Sequence, residues 1–457
     1  MHVGGELTCV STSKPPTTED LLAIIEQQAA LIAKLEARVK ELEAEVSRLR
    51  KDSPSSGGGS APSFVKSNAP PRAKKDRKRR ARPHGRRREA STREVEHAVE
   101  QCPDCGRRLK GGTLHHVRQV IEIPAVAYEV TEHRIMRRHC GVCGKDRVAR
   151  PDLSQEVVGQ QRVGIRLMGL IVTLKKACRM TVRGIKQLLY SVYGLHLSVG
   201  AIVGLLDSAA RRGSSIYDEL LAGIRRSACV QADETSWREN GQNHWMWSFS
   251  TPDTRFFVED KSRGHQVPEA VLGEGYRGVL TSDFYSAYTF YLGEHQRCWV
   301  HFLRDLKELE EKHPEEKALA RWAKRVRRVY KDAKTFHSED RRKCVRARER
   351  FQQRLAALGQ PYVNLDVVQR ILAKRIMRFA NEMFTFVEHP SVPPDNNAAE
   401  RAIRPVVIYR KVTGGSRSPQ GSATTAVLLS LVGTWALRGQ DPLAACEEML
   451  RATRPQD

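Results

Sequence analysis

The sequence predicts a multidomain α+β protein, and three observations predict it. A heptad pattern near the start gives way to a Ser/Gly-rich and then basic stretch, two C-x-x-C pairs follow, and from Ala228 the apolar period changes from helical to strand-like. At 457 residues the chain is too long for one compact core. The expected divisions are a coiled coil over 20–50, a disordered basic linker over 51–95, a cysteine-paired domain over 96–150 and a helical, helix-turn-helix-like segment over 155–215. An α/β domain over 225–440 with a helical insertion at about 302–390 follows, then a C-terminal helix over 441–457.

Lys and Arg outnumber Asp and Glu by 77 to 53, a formal charge of +24. Such an excess repels itself in isolation and calls for a polyanionic partner, nucleic acid before a membrane surface. The longest apolar run, Thr425 to Leu437, falls short of the roughly 18–20 residues that span a bilayer, so no membrane partner is expected. Residues 1–16 lack the apolar centre of a secretory leader. Ten cysteines in such a length are no disulfide framework, and their use suits a reducing cytosol with one metal site.

In the first element Ile25, Ile32, Val39 and Val46 share one heptad position, and Leu21, Leu35, Leu42 and Leu49 the other, with Gln28 interrupting. β-branched residues at one core position and Leu at the next favour two parallel strands, hence a homodimer or higher oligomer. In a parallel pair Arg38 faces Glu43 and Glu45 faces Arg50 across the seam, both attractive. The linker closes in the dense basic run Arg72 to Arg88, which suits phosphate contact without base preference.

Cys102 and Cys105, then Cys140 and Cys143, each followed by a Gly, come next. Four thiolates match tetrahedral Zn²⁺, and a two-residue spacer lets each pair bite the metal from a tight turn. A zinc ribbon with one structural Zn²⁺ is expected, with a strand over Val120 to Thr131. In the helical segment Thr181 and Ser198 stand as N-caps and Gly194 as a break.

From Ala228 the expected order is strand (Ala228 to Asp233), a hairpin of His244 to Ser250 and Thr254 to Asp260, and a helix over Gln266 to Leu272. A strand Gly278 to Asp283, a short helix around Ala287 to Leu292 and a strand His295 to Trp299 complete it. This order matches the ribonuclease H-like fold, whose first and fourth strands lie side by side. Asp233 and Asp283 then close on each other as a nest for Mg²⁺. Hard cations want oxygen ligands, and two ions about 3.5–4 Å apart stabilise both oxygens of a phosphodiester displacement. Glu400, on a short helix capped by Asp395, is the third acid. Arg401, Arg404, Arg410 and Lys411 around it supply phosphate-binding charge.

The segments Ala232-Asp233-Glu234-Thr235, Ser282-Asp283-Phe284-Tyr285-Ser286-Ala287-Tyr288, and Asp395-Asn396-Asn397 through Glu400-Arg401 to Arg410-Lys411 resemble the transposases of the insertion sequence 66 family. The likeness runs from the N-terminal helix to the C-terminal tail. It implies a bacterial, cytoplasmic, nucleoid-associated Asp-Asp-Glu transposase that acts on transposon ends and target DNA with two Mg²⁺, and it puts the catalytic roles on Asp233, Asp283 and Glu400. Accessory proteins of the same element are the further partners it admits. After Lys411 the chain departs from the family's pattern: relatives carry an Asn and aromatic residues where Val412 to Arg417 stand here. Cys298-x-x-His301 resembles the C-x-x-H that follows the second acid in several transposase groups, and its role stays open between a catalytic or DNA-contacting His301 and packing of a strand-end Cys and a helix-opening His on the core. A zinc-ribbon DNA-binding regulator with an inert ribonuclease H-like domain is the competing reading, distinguished by whether the acids bind metal.

Overall fold

The computed structural model describes residues 89–452, together with 30, 32–37 and 41. The basic run Arg72 to Arg88 and most of the expected coiled coil lie outside the described residues. Residues 32–37 are helical, with Ile32 and Leu35 exposed. The chain divides into two compact units, Met1–Ile121 and Glu122–Asp457.

In the first unit Cys102 and Cys105 sit in a turn closed by Gly106 N–H on the Cys102 carbonyl, flanked by a bridge between Gln101 and Arg108. In the second, β1 (Arg137–Cys140) and β2 (Lys145–Val148) form a hairpin whose turn carries Cys143, closed by Gly144 N–H on the Cys140 carbonyl. The strand expected over Val120 to Thr131 is not formed. Pro124 removes a ladder donor in mid-run, and Val120, Ile123 and Val130 find no apolar face to cover them.

Four helices follow: α1 (Ile165–Lys176), α2 (Val182–Tyr193), α3 (Val199–Arg212) and α4 (Ser214–Arg226). The caps read from the sequence are present. Thr181 accepts from Gly184 N–H, Ser198 from Ala201 N–H, and Gly194 ends α2 in the left-handed conformation. α3 runs on past Leu206 because Ala209 and Ala210 keep its inner face apolar.

The centre is a five-stranded mixed sheet in the order β5-β4-β3-β6-β7. Its strands are β3 (Cys229–Glu239), β4 (Gln242–Ser250), β5 (Arg255–Asp260), β6 (Val279–Ser282) and β7 (His295–Arg297). β3, β4 and β5 are antiparallel neighbours, whereas β3–β6 and β6–β7 are parallel. β3 does not end at Asp233, as the sequence suggests, but continues to Glu239. Asn240 and Gly241 both take positive φ (47° and 81°) and turn the chain tightly into β4, the twist-matched two-residue hairpin that Asn-Gly favours. α5 (Gln266–Leu272) is formed as expected. The helix expected at 287–292 is only a 3₁₀ turn, Ser286–Tyr288, and β7 stops at Arg297 because Trp299 already starts a helix.

Two cores flank the sheet. On one face Val230, Ala232, Trp247, Phe249 and Leu280 pack against α1 to α4. On the other, Trp237, Met246 and Phe257 meet Ala402, Ile403, Val406 and Tyr409 of a later helix. Between the two comes a helical insertion with its own core: α6 (Trp299–Lys312), α7 (Lys317–Thr335), α8 (Arg341–Gly359), α9 (Arg370–Phe379) and α10 (Thr385–Glu388). It leaves and rejoins the sheet at one point, where Trp299 N–H donates to the Pro394 carbonyl (3.0 Å) and Asn396 N–H to the Cys298 thiol (3.2 Å).

The helix after it, α11, spans Asn397–Thr413 and is therefore long, not short, and its N-cap is Asn396 rather than Asp395. α12 (Pro419–Leu437) and α13 (Pro442–Arg451) close the domain. The α11–α12 loop lies hard against β3. A Cβ at Gly415 (φ +92°) would fall 2.1 Å from the Arg238 carbonyl oxygen, so only glycine fits that approach.

Candidate active site

β3 and β6 pair as far as Gln231 and Thr281. Two residues on, past the end of the paired stretch, Asp233 and Asp283 stand level. Each is fixed by a local backbone donor: Glu234 N–H to Asp233 Oδ1 and Tyr285 N–H to Asp283 Oδ1, both 2.9 Å. Asp283 lies one residue beyond β6, and Arg297 of β7 holds its carbonyl oxygen at 2.8 Å.

Gln231 occupies the same face of β3 as Asp233, since side chains alternate along a strand. Its Oε1 accepts from Ala398 and Ala399 N–H, so a buried side chain of the sheet satisfies the opening amides of α11. Asn396 donates from Nδ2 to the Ala232 carbonyl (2.7 Å). These bonds bring Glu400, in the first turn of α11, to the strand that carries Asp233. Gln231 did not stand out in the sequence, and Asn396 did so only within the Asp395-Asn396-Asn397 segment, with no role attached to it. The sign for Gln231 was its spacing two residues from Asp233 on an otherwise apolar stretch.

The three acids are close enough to feel one another. Burial pushes the Asp233 carboxyl well above the usual carboxylate range, and the charges of Glu234, Asp283 and Glu400 push it further. Glu400 Oε1 lies 3.5 Å from His301 Nε2 and 3.8 Å from Arg304 Nη2, yet it accepts no hydrogen bond while shielded from solvent. A shielded carboxylate oxygen without a donor suits a hard divalent cation. Among the described residues, the side-chain clusters whose ligand atoms already lie within 4.8 Å of one another are elsewhere, Glu239–His244–Glu259 and Glu294–Glu388–His389. Cys298 is buried, its thiol pushed up to about 11 by that burial. It is the acceptor for Asn396 N–H, while His301, one helical turn on in α6, faces Glu400.

The basic residues named from the sequence divide into two kinds. Arg401 and Arg404 are exposed on α11, as is Lys411. Arg410 is half-buried and donates to Ser236 and Thr235, which ties the far end of α11 to β3.

A fourth carboxylate, Glu234, had no role attached to it from the sequence. Its side chain is 3% exposed and points to the opposite face, where Arg263 donates to Oε1 (2.8 and 3.1 Å) and Tyr288 to Oε2 (2.7 Å). The Arg263 guanidinium lies between the rings of Trp245 and Tyr285, and the Tyr285 hydroxyl donates to the Arg263 carbonyl. This circuit binds the loop after Asp283 to the strand of Asp233. Removing the cation strands a buried charge, so Arg263→Ala is expected to lower stability by about 2–5 kcal/mol. Adding Glu234→Gln should recover most of it, as read by denaturant unfolding. A double variant no more stable than the single one would reject the pairing.

At the cysteine pairs, Cys102 is pulled below the usual thiol range first by the Asp104 backbone amide, and Cys140 first by that of Cys143. Amides aimed at sulfur stabilise thiolates, the form that binds metal.

Comparison with known proteins agrees with this layout. Residues 160–424 match the Transposase IS66 family, and residues 100–144 match the zinc-finger binding domain of transposase IS66. The Uncharacterized protein y4jO of Sinorhizobium fredii (strain NBRC 101917 / NGR234) is 29% identical over 157 residues, 34% of this chain and 47% of that protein. The Uncharacterized protein y4jD of the same strain is 24% identical over 295 residues, 57% of each chain. The chain thus spans about half the length of these curated relatives. Because the first family match alone covers more than half of the sequence and contains all three acids, the chain belongs to the IS66 family of transposases.

Proposed function

We propose that this chain is a divalent-metal-dependent DNA transposase that cleaves transposon ends and joins them to target DNA through Asp233, Asp283 and Glu400. The observation that carries the reading is the level placement of Asp233 and Asp283 past the β3–β6 pairing, with α11 fastened to the same strand. The strand order β5-β4-β3-β6-β7, three antiparallel strands followed by two parallel ones, supports a ribonuclease H-like core. Two Mg²⁺ bound by the three acids would supply the charge that stabilises the attacking and leaving oxygens of the phosphodiester. The protein's own part is positional. Gln231 and Asn396 set the distance from Glu400 to Asp233, the Glu234–Arg263–Tyr288 circuit holds the Asp283 loop, and Arg401, Arg404 and Lys411 offer charge to phosphates. Purified full chain with a labelled end fragment should give strand transfer only when Mg²⁺ or Mn²⁺ is added; transfer in excess chelator would reject the metal-dependent reading.

Because the Asp233 carboxyl is held above its ordinary range, the metal-free fold binds a proton that the unfolded chain has released. Between the ordinary carboxylate range and that raised value, metal-free stability therefore falls as pH rises. Cation binding displaces the proton, so Mg²⁺ affinity rises over the same window. Calorimetric titration over a pH series from the ordinary carboxylate range upward, in buffers of different ionisation enthalpy, should show binding tighten and proton release fall as pH rises. Affinity independent of pH would contradict the raised carboxyl.

The four cysteines 102, 105, 140 and 143 are proposed to hold one structural Zn²⁺, and residues 20–50 a parallel dimeric coiled coil that brings two active sites to two DNA ends. Sedimentation of the peptide 18–52 should give a dimer, and cysteines added at its ends should crosslink like to like. A monomer at high concentration, or crosslinks only between opposite ends, would reject it.

A further inference from the structure

α7 is amphipathic in an unusual sense. Leu319, Trp322, Ala323, Val326, Val329 and Ala333 are buried in the core of the insertion. The opposite, exposed face reads Arg321, Lys324, Arg325, Arg328, Lys331 and Lys334, cations at every outward position over about 20 Å of helix. Like charges three and four residues apart weaken an isolated helix, so the stripe is kept against its own repulsion.

The surrounding structure offsets it little, although Asp332 lies near enough to Arg328 and Lys331 to feel their charge. The only acid in α7, Asp332, is engaged by Arg354 of α8 at 2.7 Å. Arg327, which points sideways, is the α7 residue paired with Glu310. Among the described residues no carboxylate lies within ion-pair distance of any of the six outward cations. The adjacent helix α6 behaves differently. There Lys307 pairs with Glu311 and Lys312 with Glu308. The insertion therefore has exposed acids, but they are not placed on this face.

We propose that the outward face of α7 is a binding surface for the phosphodiester backbone of duplex DNA, gripping it without reading bases. This rests on the reading above that the chain acts on DNA, and it assigns to the insertion a part of that grip. A duplex presents about one phosphate charge per 1.7 Å, roughly a dozen along the length of the stripe, so phosphates are plentiful enough over that length for all six cations. The face carries cations alone, and phosphate contacts from such side chains position a protein on a duplex without carrying sequence information.

The test uses the full chain and a duplex of arbitrary sequence, with affinity measured across a series of salt concentrations. Arg321→Ala, Arg325→Ala and Arg328→Ala are combined in one variant, and Arg162→Ala, Arg226→Ala and Arg277→Ala, three exposed cations elsewhere, in a control of equal charge change. Each lost phosphate contact lowers the slope of log affinity against log salt by about 0.9, so a fall of about 2–3 is expected in the stripe variant, with at least tenfold weaker binding at low salt. The control should keep the wild-type slope. Thermal unfolding verifies the fold of both, and a Gln version of the stripe variant replaces the Ala version if that one unfolds early. Equal slopes in variant and control would overturn the surface while leaving the transposase reading intact. Absence of duplex binding by the wild type would instead overturn that reading. Wild-type binding to phosphatidylserine vesicles stronger than to duplex at the same salt, and lost in the stripe variant, would assign the face to membranes and reject the proposal.

Discussion

Asp233→Asn, Asp283→Asn and Glu400→Gln should each reduce strand cleavage by on the order of 10³-fold or more while duplex binding persists, because members of a catalytic set that act as a unit fail together. Each substitution keeps side-chain volume and removes only charge, so the fold survives. Asp233→Asn should do more than survive. Its carboxyl is buried among Glu234, Asp283 and Glu400, and ionising it there is unfavourable. Without metal at pH 8 the variant is therefore expected to melt at a higher temperature than the wild type, a gain that disappears when Mg²⁺ is added. Cleavage retained in any one of the three variants would remove that residue from the site. A metal-free Asp233→Asn protein that melts lower than wild type would show that the carboxylate cluster is not strained.

The second large effect is expected at the cysteines. Cys105→Ser should take the bound zinc from one per chain to none and leave residues 100–145 without protection in hydrogen exchange. Apparent binding free energies of structural Zn²⁺ are about 10–16 kcal/mol, more than a small knuckle domain can replace by burying surface. The apolar residues nearby support this: Leu114, Val120 and Ile123 are exposed, so little core holds the region. Protection across β3, β4 and β5 should not change, because their packing involves none of these cysteines. Undiminished zinc in the variant, by metal analysis, would sink the four-cysteine assignment.

The parts legible in the sequence are those whose cause is local. Thr181 and Ser198 cap their helices because a hydroxyl three residues before a free amide needs no distant partner. The two C-x-x-C turns are equally self-contained. The length of β3 was less legible, since Glu234 to Glu239 is mostly polar and looks like loop until Asn240-Gly241 is read as a hairpin turn. The start of α11 was misread for the opposite reason. Asp395 has the chemistry of a cap, but its carboxylate reaches only Asn397 N–H, and the amides of Ala398 and Ala399 are met by Gln231, distant in sequence. Glu234 was invisible for a similar reason: its significance lies in Arg263 and Tyr288, which no spacing rule connects to it.

The pinned neck of the insertion, where Trp299 meets Pro394 and Cys298 meets Asn396, bears on how the domain is assembled. Closing a loop costs little more as the loop lengthens, about 0.6 kcal/mol per doubling, so the neck can tolerate insertions of different size without shifting the acids. Order of synthesis is another matter. A ribosome-bound chain exposes Asp233 and Asp283 early, but the helix bearing Glu400 emerges only after the whole insertion has been made. Until then Gln231 has no helix to cap and Glu400 is missing from the proposed acid set. On the reading proposed above, fragments that stop inside the insertion would hold two of the three acids and lack the third.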